Sequence, residues 1–423
     1  MKKIKDICTV WRIYLLALAK WLAVAALTGP LCGAIGAAFH VGVERVTELR
    51  AAHGWLLYTL PLLGLAIGGI YKLFGTSGVS TNNILEEVHS GRGVSLALLP
   101  TIFAATLLTH LGGGSVGREG AALQMGGTIG YQTGRLLRLD DSDLRTATTV
   151  GMAAFFAALF GTPMAATVFA MGITNVGRVY YVSLLPCLAA ALSAYGVSLL
   201  LGVEPTAFAV DAPALAPGML LRVAALAVLC AFVSVLFCET IHLAERLASK
   251  YLPNEWLCVV AGGCAIVGLT LLLGTTDYNG AGMAVITRAV ERGEAAPAAF
   301  LLKLLFTAVS LSTGFKGGEV VPSFFVGATF GCIVGPLLGI PAHFAAAVGL
   351  VSVFCGAVNC PLASTFLALE LFGAAGMLYF ALACALSFVL SGYSGIYSSQ
   401  RILYDKLKAQ YINVQTNAHH AGK

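Results

Sequence analysis

Apolar residues in this chain occur in long blocks rather than at amphipathic spacing. Blocks run over Ile13–Phe39, Leu56–Phe74, Ser95–Leu111, Val150–Ile173, Val182–Leu201 and Met219–Phe237. They continue over Leu257–Leu273, Phe300–Leu311, Phe324–Gly339, Ala345–Phe372 and Met377–Ile396. A bilayer crossing takes about 20 predominantly apolar residues, so the pattern predicts an all-α polytopic membrane protein with roughly ten or eleven helical spans. Several blocks are short or interrupted by Gly and Pro, which predicts broken and re-entrant helices. The first block is too long and too interrupted, with Lys20 inside it, for a secretory signal whose apolar core is roughly 7 to 15 residues.

Composition sharpens this picture. Hydrophobic residues make up 58% of the chain and charged ones 11%, against roughly a quarter in soluble domains, which excludes a water-soluble fold. The net charge of +5 is loop charge with no basic patch interleaved with aromatics, so nucleic acid is excluded as a partner. Lys2, Lys3, Lys5 and Arg12 at one end and Arg401, Lys406 and Lys408 at the other put both termini in the cytoplasm, hence an even number of full crossings. The eleven cysteines are scattered through apolar segments and read as small core residues; Cys355 and Cys360 are not spaced as a zinc motif. His89, His110, His242, His343, His419 and His420 form no metal spacing either, so no metal and no cofactor is expected.

An internal repeat carries the most information. Gly114-Ser-Val-Gly-Arg-Glu-Gly-Ala-Ala-Leu-Gln-Met-Gly-Gly-Thr-Ile-Gly130 returns as Phe315-Lys-Gly-Gly-Glu-Val-Val-Pro-Ser-Phe-Phe-Val-Gly-Ala-Thr-Phe-Gly331, 201 residues later. Gly161-Thr-Pro-Met-Ala-Ala-Thr-Val-Phe-Ala returns as Asn359-Cys-Pro-Leu-Ala-Ser-Thr-Phe-Leu-Ala, 198 residues later. The chain therefore reads as one membrane domain over residues 1–423 made of two homologous halves, about 13–201 and 215–398. Transporter halves are often inserted with opposite topology and meet at a midplane site built from broken helices.

Physically, clustered glycines before a helical run leave free backbone N–H groups at a helix N-terminus, and such groups attract anions. Irregular backbone at membrane depth survives only where protein covers it or where it lines a cavity. The breaks at Gly112–Gly120 and Gly314–Gly318 thus predict two helix starts that face each other as an anion cradle. Glu119 and Glu319 lie in it, and an ionisable group inside a membrane is read as functional by default. Glu119 at a helix start can occupy the anion position itself and leave on protonation, a proton-coupled gate; the blander reading is a cap or a pair with Arg118.

At these residues the chain resembles the CLC family of chloride channels and anion/proton antiporters over nearly its whole length. Gly117-Arg118-Glu119-Gly120 reproduces the family's GREG gate motif, with Ala121 in the place of proline. Gly318 and Pro322 match its GxFxP motif, with Val320 for phenylalanine, and Tyr397 in Gly395-Ile396-Tyr397 matches its anion-facing tyrosine. The resemblance implies a CLC-like fold of two inverted-topology halves, a homodimer with a pathway in each subunit, and small inorganic anions and protons as partners in a lipid bilayer; the compact chain without targeting segments leads to the expectation of an inner plasma membrane location. Ser80, Arg118, Gly120, Val320, Val321 and Tyr397 are its implied anion-binding positions. No regulatory module follows Lys423.

Two departures resemble the fluoride/proton antiporter branch. Glu319 in Gly317-Gly318-Glu319-Val320 matches a glutamate of that branch, and Asn82 and Asn83 in Val79-Ser80-Thr81-Asn82-Asn83 stand where chloride carriers read GSGIP. Gly172 and Ile173 occupy the places of the inner proton-transfer glutamate of chloride/proton exchangers. Against that branch, Ser80 stands where methionine is common and Val321 where threonine is. Ser77 is an alternative site serine if the alignment shifts by three residues. Fluoride, small and strongly hydrated, needs dense donors to replace its water. Ser80, Asn82, Tyr397 and the helix-end amides supply them, and a protonated Glu319 adds another.

Other polar residues read as structural. Glu86 and Glu87, one to two helical turns beyond Ser80, face the cytoplasmic end, Glu370 packs or pairs between helices, and Glu239, His242, Glu245, Arg246 and Lys250 form a solvated helix face. Gly151, Gly161 and the small residues around Ala153–Ala158 allow close helix packing. A multi-pass membrane enzyme is the other class considered. No GxSxG, HExxH or paired-aspartate arrangement supports it. The reading is an anion transporter, fluoride/proton exchange first and a chloride channel or exchanger second.

Overall fold

Residues 2–90 and 93–417 are described in the computed structural model; the side chains of residues 2–9 and 89–90 are not. Lys2, Lys3, Lys5 and His89 as side chains, and His419 and His420 altogether, lie outside the described residues.

The helices are α1 (Lys2–Ala52), α2 (Leu60–Leu73), α3 (Thr81–Ser90), α4 (Leu98–Gly112), α5 (Glu119–Leu136), α6 (Asp141–Phe160), α7 (Pro163–Gly172) and α8 (Leu184–Leu200). The second half follows with α9 (Pro217–Tyr251), α10 (Glu255–Leu273), α11 (Met283–Thr287), α12 (Ala299–Ser312), α13 (Val320–Val334), α14 (Ala342–Val358), α15 (Pro361–Phe372) and α16 (Met377–Leu390). Five helical stretches are long and apolar enough to cross a membrane: Val10–Ala52, Gly54–Leu73, Tyr181–Leu200, Pro217–Tyr251 and Glu255–Leu273. The other apolar helices have 10–17 residues. At 1.5 Å per residue a ten-residue helix such as α7 reaches about halfway through a core of roughly 30 Å. Of the ten or eleven apolar runs expected, five are full-length helices among the described residues and the others are shorter or divided, as the Gly and Pro interruptions predict.

Two blocks expected as single runs are divided. Gly161 (φ +69°) ends α6 in the left-handed conformation, Thr162 is non-helical, and Pro163 restarts the chain as α7. In the second half Asn359 (φ +57°) ends α14, Cys360 repeats the conformation of Thr162, and Pro361 opens α15. Proline at the first helical position costs no hydrogen bond, because that N–H would be free anyway.

The halves also repeat in packing. A Cβ on Gly126 would strike the Gly151 carbonyl, and one on Gly327 would strike that of Gly349. α5 against α6, and α13 against α14, therefore pack backbone on backbone, which is what small residues at a membrane helix contact permit.

One feature departs from an all-helical chain. β1 (Asn175–Val176), β2 (Arg401–Tyr404) and β3 (Tyr411–Gln415) form a small sheet, β1 parallel to β2 and β2 antiparallel to β3. Gln400 ties it to the bundle by donating to Ile173 O and Val358 O, both 2.9 Å, at the ends of α7 and α14. Lys20 on α1 pairs with Asp143 on α6 on this side of the molecule, called here the sheet face.

Two structural readings change, and that of Glu370 is made specific. Residues 393–417 pack onto α9, so its polar stripe is not simply solvated: Glu239 accepts from Ser394 Oγ (3.2 Å), and His242 Nε2 meets Gly395 O (2.9 Å). Glu87 is buried and accepts from Gly93 N (2.6 Å) instead of facing out. Glu370 caps the start of α7 across the two halves, accepting from Met164 N (2.9 Å) and Ala165 N (2.8 Å).

Candidate functional site

The loops before α5 and α13 meet as a two-residue antiparallel bridge. Gly117 N–H donates to Gly318 O (2.7 Å) and Gly318 N–H to Gly117 O (2.9 Å). Only glycine permits this approach. A Cβ on Gly120 would stand 2.6 Å from Gly317 O, and one on Gly318 would stand 3.0 Å from Glu119 N. The bridge brings two helix N-termini together, so free N–H groups and the positive ends of two helix dipoles point into one small space.

The Glu119 side chain fills that space and is fully buried. Its Oε2 accepts from Arg118 N (3.0 Å) at its own helix and from Val321 N (3.3 Å) at the other. It is thus a cap, as the blander reading had it, but one that spans both helices. Among the described residues its carboxylate makes no ion pair with Arg118, whose guanidinium turns to His40 Nδ1 (2.9 Å) on α1. Arg118 reaches the cradle through its backbone alone.

Glu319 holds the N-cap position of α13 without capping it. Glu119 Oε1, Glu319 Oε2 and the Tyr397 hydroxyl are among the buried polar atoms that have no hydrogen-bond partner among the described residues. Each of these residues lies within electrostatic reach of the other two. Buried polar atoms without partners are rare, and a cluster of them beside two helix N-termini can hold a small anion and pass protons. Val320 and Val321 are buried at the start of α13 and offer backbone only.

α3 closes the site from the sheet face. Ser80 precedes it, and both its N–H (2.8 Å) and its hydroxyl (2.9 Å) donate to Asn83 Oδ1, the reverse half of a capping box. Asn83 is exposed and acts on Ser80, so it is not brought to the cradle. Asn82 Oδ1 accepts from Ser399 N (3.2 Å) and Oγ (2.9 Å), tying α3 to the segment that carries Tyr397. Ser77 instead lines a cavity of about 610 Å³ with Tyr71, Glu245, Glu255 and Lys316.

Sequence reasoning missed several groups. Thr81 touches Gly120 O (3.4 Å) and accepts from Gln124 (3.2 Å), joining α3 to α5. Lys303 is fully buried and donates to Gly280 O (2.5 Å) and Tyr278 O (3.1 Å), while Gly280 N–H holds Gly114 O (3.1 Å) in the first glycine loop. A lysine inside the apolar run Phe300–Leu311 was the available signal.

The sequence profile of the family described as "Voltage gated chloride channel" matches residues 63–392. A "Chloride/fluoride channel protein" of Pseudomonas syringae pv. tomato is 36% identical over 398 residues, 92% of this chain and 88% of that one. The "H(+)/Cl(-) exchange transporter ClcA" of Vibrio cholerae is 27% identical, covering 83% of this chain and 81% of its own. Among solved structures, a CLC-type fluoride/proton antiporter superposes with a TM-score of 0.87 at 31% identity, over 90% of this chain and 98% of that one. A slow cyanobacterial Cl-/H+ antiporter shares the fold at 19% identity and a TM-score of 0.76, over 88% and 94% of the two chains. With its paired glycine loops, divided helices and profile match, this multi-pass membrane chain belongs to the CLC family of anion transporters.

Proposed function

We propose that the chain is a fluoride/proton antiporter that exports fluoride, with Glu119 as its proton-coupled gate. The observation that carries this is the Glu119 carboxylate held by amides of both helix starts, an anion's place taken by a side chain. When fluoride occupies those amides the carboxylate must leave, and it leaves most readily as the neutral acid. Ion and proton thus compete for one position.

Glu319 supports fluoride over chloride. A fixed negative charge there would repel an anion, so it is protonated when fluoride is adjacent and then donates a strong hydrogen bond to it. Tyr397, Ser80 and Asn82 complete the donor set, directly or by holding its members. The 36% identical chloride/fluoride channel protein and the 31% identical fluoride/proton antiporter point the same way. In this reading both termini are cytoplasmic, the domain comprises the two halves read from the repeat, the assembly is a homodimer, and the membrane is the inner plasma membrane.

The test is efflux from liposomes holding the purified chain, comparing fluoride with chloride while external pH is recorded. Fluoride-selective flux that drives protons against a gradient is expected. Chloride flux of equal size assigns the chain to chloride transport instead. Unchanged fluoride transport in Glu319→Ala removes the role given to that residue.

A further inference from the structure

The cavity of about 610 Å³ is bounded by the two segments that lead directly into the cradle. Ser77 and Gly78 precede Ser80 and α3, while Gly314 and Lys316 precede the Gly117–Gly318 bridge. Both segments are tied down. Tyr71 O accepts from Thr76 N (2.9 Å), which folds the turn carrying Ser77 back onto the end of α2, and Lys316 N donates to Thr109 Oγ1 (3.2 Å) on α4. Glu245 on the rim stands one turn along α9 from His242, which meets Gly395 O (2.9 Å), so the cavity lies toward the sheet face.

Its inner wall carries donors that the protein leaves unused. Tyr71 is 4% exposed, and its hydroxyl has no hydrogen-bond partner among the described residues. The half-buried Lys316 ammonium lies 4.8 Å from the centre of the Tyr71 ring, and among the described residues it makes neither a hydrogen bond nor an ion pair. A ring face attracts an ammonium from one side only, so N–H donors stay free on the other. Phenol and ammonium therefore stand close together on one wall. Water could satisfy either, but an anion gains from the charge as well as from the hydrogen bonds. The acids stand at the rim. Glu245 is exposed and meets His242 (3.4 Å); Glu255 is exposed in the first turn of α10, where the helix dipole favours it, and is the acid that acts on Lys316. Lys72 adds an exposed cation there.

We infer that Lys316, Tyr71 and Ser77 form a second anion site, separate from the cradle, which captures a small inorganic anion and passes it to the bridge beside it. The inference rests on anion transport and not on the choice between fluoride and chloride. A cavity of this volume is far larger than a halide, so the captured ion keeps part of its water and exchanges the rest for N–H and O–H donors. Lys316 is one residue from Gly317, which makes the distance from this site to the cradle short. Ser77, the alternative to Ser80 in the sequence, has a place of its own in this arrangement.

The test uses the full chain in liposomes, with initial flux measured over a range of fluoride and, separately, chloride concentrations. Lys316→Met keeps the length of the side chain but loses its charge, and is expected to raise the half-saturating concentration about tenfold, the worth of one hydrogen bond to a charged group, with the limiting rate changed about twofold at most. Tyr71→Phe removes only the hydroxyl and should raise it about threefold. Lys316→Arg is expected to restore most of the affinity. Half-saturation at the wild-type level in both Lys316→Met and Tyr71→Phe overturns the site. So does a lower limiting rate with half-saturation unchanged, which is what a role in holding the glycine loop would give. Bromide located by its anomalous scattering in crystals of the wild-type chain gives a reading that needs no variant to fold: an ion between the Lys316 ammonium and the Tyr71 hydroxyl supports the site, and its absence there overturns it. Wild-type protein that moves neither anion removes the transport reading instead, and the bromide position still decides the site.

Discussion

The two helix starts that form the cradle differ by a single register step. At α5 the acid is the first helical residue, Glu119, and its side chain turns back across the bridge to amides of both helices. At α13 the first helical residue is Val320, and the acid Glu319 stands one place earlier, at the N-cap. One residue is about 100° of helix rotation, enough to swing a side chain from the cradle to its flank. From one duplicated motif the molecule thereby obtains a carboxylate that caps both helix starts and another that stands beside it.

That contrast can be broken most severely at Glu119. Glu119→Gln keeps size and shape but cannot release a proton, so coupled proton movement should vanish while fluoride still leaks; paired pH and fluoride electrodes on liposomes give both readings. Next is the bridge. A Cβ in Gly120→Ala stands against Gly317 O, and overpacking of this kind costs about 1–3 kcal/mol. A lowered thermal midpoint in detergent, with fluoride flux reduced, is the expected result. Smaller still, Asn83→Ala removes the cap partner of Ser80 at about 1 kcal/mol, visible as a modest loss of thermal stability. Arg118→Gln comes last, because its backbone N–H alone serves Glu119. A half-buried contact of about 0.6 kcal/mol alters flux roughly threefold, and a far larger loss would mean that the guanidinium acts on the ion directly.

Much of this was readable in the residues. Gly117, Glu119 and Gly318 are local signals: a glycine cluster before an apolar run has few uses other than a helix start at close quarters. The repeat of Gly161-Thr-Pro163 as Asn359-Cys-Pro361 disclosed a paired break, although the apolar runs through it read as continuous. What escaped depends on partners far along the chain. Lys303 owes its place to carbonyls of Tyr278 and Gly280, and His242 to a carbonyl 153 residues away. Neither leaves a periodic mark. The sheet escaped for a similar reason, since a two-residue strand such as Asn175–Val176 forms only when Arg401 and Ile402 arrive beside it.

The Gly117–Gly318 bridge has one more consequence, for how such a machine can cycle. Many transporters built from two halves alternate by rocking one half against the other around a fixed site. Here both loops are pinned to each other by two N–H···O bonds, and the helices behind them touch backbone to backbone at Gly126–Gly151 and Gly327–Gly349. A rocking step would tear these contacts between the two helix starts. In the antiporter reading proposed above, the frame is that of a turnstile: the posts stay still, and the turning arm is one side chain three bonds long.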